Sequence, residues 1–495
     1  MSSANPNNVD AVVSEDADAA ELRAFGYWQQ LRRSMGVFSS FAISFSMVSI
    51  ITGVFAHFDF GFKQAGPTVL WSWSVVGAGQ FLIALVLADL SSRIPLSGSG
   101  YQWSTRLVNP HYGFFVGWLI LMQLLTGFPG VCHTLATALC NSLGAESNSP
   151  ALVVGVAVGT ISAIALVHLV GIRVVSFVND LGVMAEVAAC SLLIVVLFGA
   201  YFLDGPASLS RFLDRTHAPT GQPAGPSALA LSLLMGAWCL TGFEAAADLA
   251  EETQRPKQTV PWVILSAELS SALGGLLLLA GIILAIPDVH TAGQQEHPLL
   301  TTLTASLGSK WINAAMVVIL VSIFACGVAS MAAATRLIYS LARDNMLPMS
   351  NALKRVHPRL QTPISAIVVV WMIAVAVVLG FDRLELFTDV SAVAAYLGYS
   401  GIVIASFREK SPSTGFSLGR YRSLVRIAAL AWSIFVVAAL TIPDVATSDQ
   451  AIHHLPAKST LVAIGVGIAI YSLFIRGRLV RGEAGPPQTG VGIPR

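Results

Sequence analysis

Two stretches decide how this chain folds: Ser44-Phe45-Ser46-Met47-Val48-Ser49-Ile50-Ile51-Thr52-Gly53 and Gly236-Ala237-Trp238-Cys239-Leu240-Thr241-Gly242-Phe243-Glu244. The first sets serine, threonine and glycine, and the second threonine and glycine, at the middle of an apolar run of about 18 residues or more, long enough to cross a bilayer. Non-helical backbone at that depth is tolerated only where it lines a cavity or is buried in protein. The two stretches fall in the first and sixth apolar spans, corresponding positions in two halves of five. Glycine-interrupted segments matched in this way point to the binding site of an inverted-repeat transporter. A broken helix frees N–H groups at the start of one half and carbonyls at the end of the other. The N–H end suits a carboxylate and the carbonyl end an ammonium group. Two such breaks side by side can hold a zwitterion without a charged side chain. The competing reading is that small residues simply let two helices pack closely.

The rest of the chain sets the frame. Of 495 residues, 55% are hydrophobic and 11% charged, and the mean hydropathy is +0.71. Soluble domains carry about 25% charged residues, so lipid must be the solvent for much of this surface. Candidate spans are 36–57, 67–90, 112–137, 151–171, 180–203, 227–251, 261–287, 311–341, 363–380, 385–406, 425–443 and 459–476. The expected fold is an all-α integral membrane protein of about twelve transmembrane helices. Its parts are an N-terminal tail (1–35), a ten-helix core (36–406, with repeats 36–203 and 227–406), two peripheral helices (407–476) and a C-terminal tail (477–495). The tail after Arg481 reads as disordered. Alternating the spans from a cytoplasmic N-terminus puts the great majority of the 28 Lys and Arg residues on the cytoplasmic side, so both termini are expected inside a cell (plasma or inner) membrane. The net charge of +1 offers nothing to a polyanion, and no nucleic-acid partner is expected. The five cysteines lie in apolar stretches with no metal-ligand spacing, so neither a metal site nor a disulfide framework is expected.

Four segments carry a family resemblance: LRAFGYWQQLRRSMGVFSSFAISFSMVSIITG (22–53), RIPLSGSGYQWSTRLVNPHYGFFVGW (93–118), GFEAAADLAEETQRPKQTVPWVI (242–264) and ATRLIYSLARDNMLP (334–348). Together they resemble the amino acid–polyamine–organocation (APC) transporter superfamily, most closely its amino acid/choline branch. The resemblance implies five-plus-five inverted repeats followed by two peripheral helices, and alternating access around a midplane site for an amino acid or related amine. The family's first break usually reads as two glycines around a serine. Here Ile51 takes the first glycine position, while Thr52 and Gly53 keep the rest. By the resemblance, donors of Ile50, Thr52 and Gly53 take a substrate carboxylate. Carbonyls near Ser46, Met47, Trp238 and Cys239 take its ammonium group, and Thr241 and Gly242 line the site. Trp238 matches a position where the family often places an aromatic gate; a packing tryptophan is the alternative.

Two intramembrane acids are candidates for coupling. Glu186 lies in the fifth span, where a carboxylate costs about 2.5–3.5 kcal/mol at mid-depth, so it must face the bundle or titrate. Some proton-coupled relatives are similar here but carry lysine. Glu186 either takes part in proton coupling or cation sensing, or is a structural acid bonded to donors of the first span. Glu244, just past the second break, either stabilises exposed backbone or relays a proton. Asp248, Glu251 and Glu252 follow at helical spacing and read as a solvated intracellular gate with Arg or Lys. Gln123 and Thr126 share a helix face and read as interhelical hydrogen-bonding groups. His133 and His168 are isolated.

The expected function is secondary active transport of an amino acid or amino-acid-like amine, coupled to a proton. Sodium coupling, exchange, and choline or polyamine substrates are alternatives. No G-x-x-x-x-G-K-[ST] loop occurs, so ATP drive within this chain is not expected. No cofactor is expected. An intramembrane enzyme would need a nucleophile–base pair or metal cluster at membrane depth, and none is apparent. A transporter-like substrate sensor is a further class, but the tails offer no signalling domain.

Overall fold

A computed structural model describes residues 17–143, 150–204, 209–216, 221, 224–380, 384–410, 415–441 and 455–487. Among these residues all regular structure is helical, apart from one isolated bridge between Met35 and Thr253. Among the described residues nine stretches are long and apolar enough to cross a membrane, and three shorter apolar helices accompany them. Parts of the 204–226 connection, Arg383 and the last eight residues lie outside the described residues.

The first span is two helices, α1 (Val37–Val48) and α2 (Ile50–Ala65), parted at Ser49. α3 (Val69–Ser91) and the short α4 (Ser99–Leu107) follow. α5 (Pro110–Ser142) begins where Asn109 accepts the Tyr112 N–H at 2.8 Å, with proline at its first position, a combination that satisfies one orphan donor and dispenses with another. α6 (Pro150–Val170) and α7 (Ile172–Asp204) come next. α8 (Pro226–Cys239) and the single turn α9 (Ala245–Asp248) flank the second break. Then come α10 (Pro256–Ala285), α11 (Pro298–Leu307), α12 (Ser309–Arg343), α13 (Ile364–Gly380) and α14 (Leu384–Ser406). α15 (Arg422–Thr441) and α16 (Leu455–Ile470) end the bundle.

Burial separates core from periphery. In the most apolar windows of α1–α3 and of α5, 72% is buried, against 22% and 17% for the stretches containing α15 and α16. Without a hydrophobic drive between helices in lipid, packing depends on close approach of small residues. Gly275 of α10 leaves room for the Trp73 ring of α3, where an added Cβ would stand 2.1 Å from the ring. Trp73 in turn donates its Nε1–H to Ala272 O at 2.9 Å.

Both described ends of the chain lie on one face, called here the terminal face. Tyr27 donates to Asp344 at 2.9 Å, and the Gly485 N–H donates to Asp344 O at 2.8 Å. Residues 482–487 therefore pack at the end of α12, a correction to the expectation of disorder from Arg481 onward. The expected disorder had rested on composition, which does not register backbone contacts of this kind.

Candidate functional site: a cavity between two interrupted helices

Each break is stabilised locally. At the first, Ser49 has φ 36°, a left-handed conformation in a non-glycine residue. Such strain is sustained only when the surroundings over-determine it. Here the Ser49 hydroxyl accepts the Thr52 N–H at 3.2 Å and donates to Glu186 Oε1 at 3.0 Å. Glu186, wholly buried on α7, also accepts the Ile51 N–H at 3.2 Å, and the Ile50 N–H faces the same carboxylate. A side-chain carboxylate thus sits at the positive end of α2. At the second break Gly242 has φ 89°. Its N–H donates to the Tyr399 hydroxyl at 3.2 Å, and that hydroxyl donates to Glu244 Oε2 at 2.9 Å.

The breaks touch each other. A Cβ on Gly53 would stand 2.0 Å from Cys239 Sγ, and one on Gly242 would stand 2.3 Å from Met47 Cγ. These glycines are required by the close approach of α2 to α8 and of α1 to the second break. Between the breaks lies a cavity of about 30 Å³, bounded by Met47, Val48, Thr52, Trp238, Cys239 and Thr241 from the interrupted spans. Gln123, Gly127 and Val131 of α5, Cys326 and Ser330 of α12, and Ser391 of α14 close it. That volume holds water but not an amino acid, so substrate requires the helices to separate.

Of the residues expected at the site, Met47, Thr52, Trp238, Cys239 and Thr241 line the cavity, while Ser46, Ile50, Gly53 and Gly242 do not. The expected carboxylate donors have partners within the protein in this conformation. Ile50 faces Glu186, the Thr52 N–H is held by the Ser49 hydroxyl, and the Gly53 N–H donates to Ser49 O at 3.0 Å. The carbonyl side is more open: Val48 O and Ser49 O accept only the weak thiol donor of Cys239 at 3.5 Å, besides any bonds within their helices. Sequence reading missed Val48, Gly127, Val131, Cys326, Ser330 and Ser391, because helix rotation is not legible from one chain. Gln123, expected to hydrogen-bond between helices, lines the cavity with its side-chain Oε1 unpartnered, and it is its backbone carbonyl that accepts Ser391 Oγ, at 2.9 Å. Thr126 bonds its own helix, at Met122 O.

The two ends of the cavity differ. Away from the terminal face, the Trp238 ring stacks edge-on against His57 at 5.1 Å. Beyond it opens a pocket of about 460 Å³ whose lining includes Asp59, Lys63, His133, Asn141 and His297. Toward the terminal face the path is shut. Phe243 stacks on Tyr399 at 5.8 Å. Below it Arg336 grips Glu252 through two hydrogen bonds of 2.9 Å, and Arg343 binds Glu251 at 2.9 Å. The expected pairing of Glu251 and Glu252 with arginine is present, but it is not solvated: Glu251, Glu252 and Arg336 are each 0% exposed. Asp248, also buried, faces Ser99 rather than a cation. Spacing along a helix identifies which acids share an end, not whether neighbouring helices cover them. His168 is buried and bonds Val328 O at 3.0 Å.

An apolar bundle around a cavity bounded by helix ends, sealed on one side by buried ion pairs, is the build of a membrane permease. Residues 35–468 match the amino acid permease family, and the chain belongs to it. Among similar proteins is the amino-acid permease BAT1 of Arabidopsis thaliana, 24% identical, with 92% of this chain and 95% of that protein covered. A putative polyamine transporter of Candida albicans is 23% identical over 89% of this chain and 84% of its own length. The GABA-specific permease of Saccharomyces cerevisiae is 24% identical over 73% of this chain and 66% of its own.

Proposed function

We propose that this permease is a secondary active transporter for an amino acid or amino-acid-like amine, working by alternating access around the cavity between the two breaks. The observation that supports this most is the contact of Gly53 with Cys239. It brings the helix ends of two interrupted spans to one chamber, where backbone dipoles can bind a small charged solute. Proton coupling falls to Glu186, because it bonds the first break directly, with Glu244 serving the second. A carboxyl that gains or loses a proton there changes how tightly α2 is held, and so couples protonation to the position of a substrate-binding helix. Sodium remains the alternative coupling ion. The terminal face is assigned to the cytoplasm of a cell membrane by its excess of arginine and lysine, so the described arrangement is closed inward and wider outward. The five-plus-five inverted repeat is part of the same reading.

A second reading, a choline- or polyamine-type substrate without a carboxylate, is supported by a specific observation. The expected carboxylate donors are engaged within the protein, whereas from the second break the carbonyls of Val48 and Ser49 are met by the weak thiol donor of Cys239, Ser49 O also accepting the Gly53 N–H. The relative named a polyamine transporter accords with it. Uptake of labelled amino acids and amines into proteoliposomes, with and without an inward proton gradient, tests both. Gradient-stimulated uptake of an amino acid supports the first reading, uptake confined to amines the second, and no uptake of either class overturns the transporter reading.

A further inference from the structure

Glu268, at the middle of α10, had no part in the sequence reading. It is wholly buried, and neither carboxyl oxygen has a hydrogen-bond partner. Its surroundings share this condition. α10 and α3 touch where Gly77 meets Ala272. One turn toward the terminal face α3 brings Gln80 and α10 brings Glu268. Gln80 donates Nε2–H to Leu240 O, within the second break, at 2.5 Å, but its Oε1 is unpartnered. Ser271 Oγ, one turn along α10, is also unpartnered. Tyr396 of α14 and Trp432 of α15 face each other without completing a hydrogen bond, and Tyr396 lies within electrostatic reach of Glu268. Trp432 is fixed against α3, because its ring fills the place a Cβ on Gly79 would take.

The charged and titratable groups around Glu268 are few. Glu244 and Cys239 come from the interrupted span and Tyr396 from α14. α3 and α15 contribute the uncharged Gln80 and Trp432 at this level. Asp89 of α3 is bonded to Arg426 of α15 and to Arg93, just past α3, nearer the terminal face, and Arg422 opens α15 at that same end. On α7, Glu186 is turned to the first break. Glu268 thus has a second acid as a neighbour and no cation bonded to it. An isolated carboxylate at that depth costs several kcal/mol. The unmet groups include both a donor, Trp432 Nε1, and an acceptor, Gln80 Oε1. A metal ion satisfies acceptors only; a carboxylic acid with water satisfies both.

We propose that Glu268 is a further proton-binding site, carried as a neutral acid in a buried cluster of unmet polar groups behind the second break and linked to it through Gln80 and Leu240. It rests on the transporter reading only for its consequence, that protonation at Glu268 modulates closure of the second break. Infrared difference spectroscopy of the purified protein on raising pH tests the site itself. A protonated-carboxyl band that is lost on titration and missing in Glu268→Gln is expected. A difference spectrum identical in wild type and variant overturns the proposal. Should the variant fail to fold, labelling wild type with a hydrophobic carbodiimide, read by mass spectrometry, decides. Modification at Glu268 that fades as pH rises is expected, and no modification at any pH overturns it. Substrate counterflow, which needs no proton gradient, reports separately on the transporter reading.

Discussion

Glu186 Oε1 accepts the Ile51 N–H at 3.2 Å, so a carboxylate on α7 is the partner that holds the first turn of α2 in place. The same oxygen accepts the Ser49 hydroxyl at 3.0 Å. One titratable side chain thereby grips both the strained residue of the first break and the helix that follows it.

Replacing this acid separates charge from shape. Glu186→Gln keeps an acceptor for Ile51 and Ser49 but cannot change charge. The expected result is uptake whose rate no longer follows pH, with substrate affinity within roughly threefold of wild type, under 1 kcal/mol. An unchanged pH profile of uptake assigns Glu186 a purely structural part.

The contact between the breaks has its own test. Gly53→Ala forces a methyl into Cys239, and overpacking of this kind costs typically 1–3 kcal/mol, sometimes more. Thermal unfolding temperature and uptake are both expected to fall. Adding Cys239→Gly removes the colliding atoms and is expected to restore part of each. A double variant no better than the single one places the lesion elsewhere.

Trp238 closes the cavity against His57. Trp238→Ala removes an aromatic contact of about 0.5–1.5 kcal/mol beyond area burial. Apparent affinity is expected to weaken by up to roughly tenfold, with faster substrate dissociation. Kinetics of binding and uptake that match wild type reduce Trp238 to packing.

The buried pair Arg336–Glu252 seals the terminal face. Glu252→Gln leaves a guanidinium buried and unpaired, a loss of about 3–5 kcal/mol. Arg336→Met with Glu252→Leu is expected to be more stable than either single change. Thermal unfolding reads the stability, and alkylation of a cysteine placed at Ser97 reads opening of the terminal face, which the single variants are expected to increase. Equal stability of the single and double variants contradicts a desolvated pair.

Away from that face, His297 faces Asp59 at 3.6 Å, while Asp59 accepts the Leu299 N–H at 2.8 Å. The Asp59 carboxylate beside it raises the His297 imidazole above its ordinary value against the opposing effect of burial. A raised histidine stabilises below its unfolded value, about 6.5, and this contribution fades as pH rises through the folded value. Hydrogen exchange at the start of α11 is therefore expected to speed up from pH 6 to pH 8 beyond the intrinsic base-catalysed increase. Asp59→Asn is expected to remove that excess, and retention of it in the variant contradicts the link.

Much of this was legible in the residues. The serine, threonine and glycine content of 44–53 and 236–244 located both breaks. It did not locate the bend, because the strained residue is Ser49, while Gly53 serves packing against Cys239. Glu186 was found as an acid in an apolar span, and its bond to the first span had been one of the two readings. Glu268 lies in an equally apolar span and gave the same signal, a lone acid in VILSAELSSALGG. The second wall of the cavity, Cys326, Ser330 and Ser391, depends on helix rotation, which a single sequence does not encode. Burial of Glu251 and Glu252 depends on α12 and the N-terminal segment folding across them.

The most direct measurement is a cryo-electron-microscopy map of the protein with the solute that it carries in proteoliposomes. The expected result is solute density between the two breaks, touching Thr52 and Trp238. Density elsewhere, or two first and sixth spans running as continuous helices with no chamber between them, contradicts transport through this site.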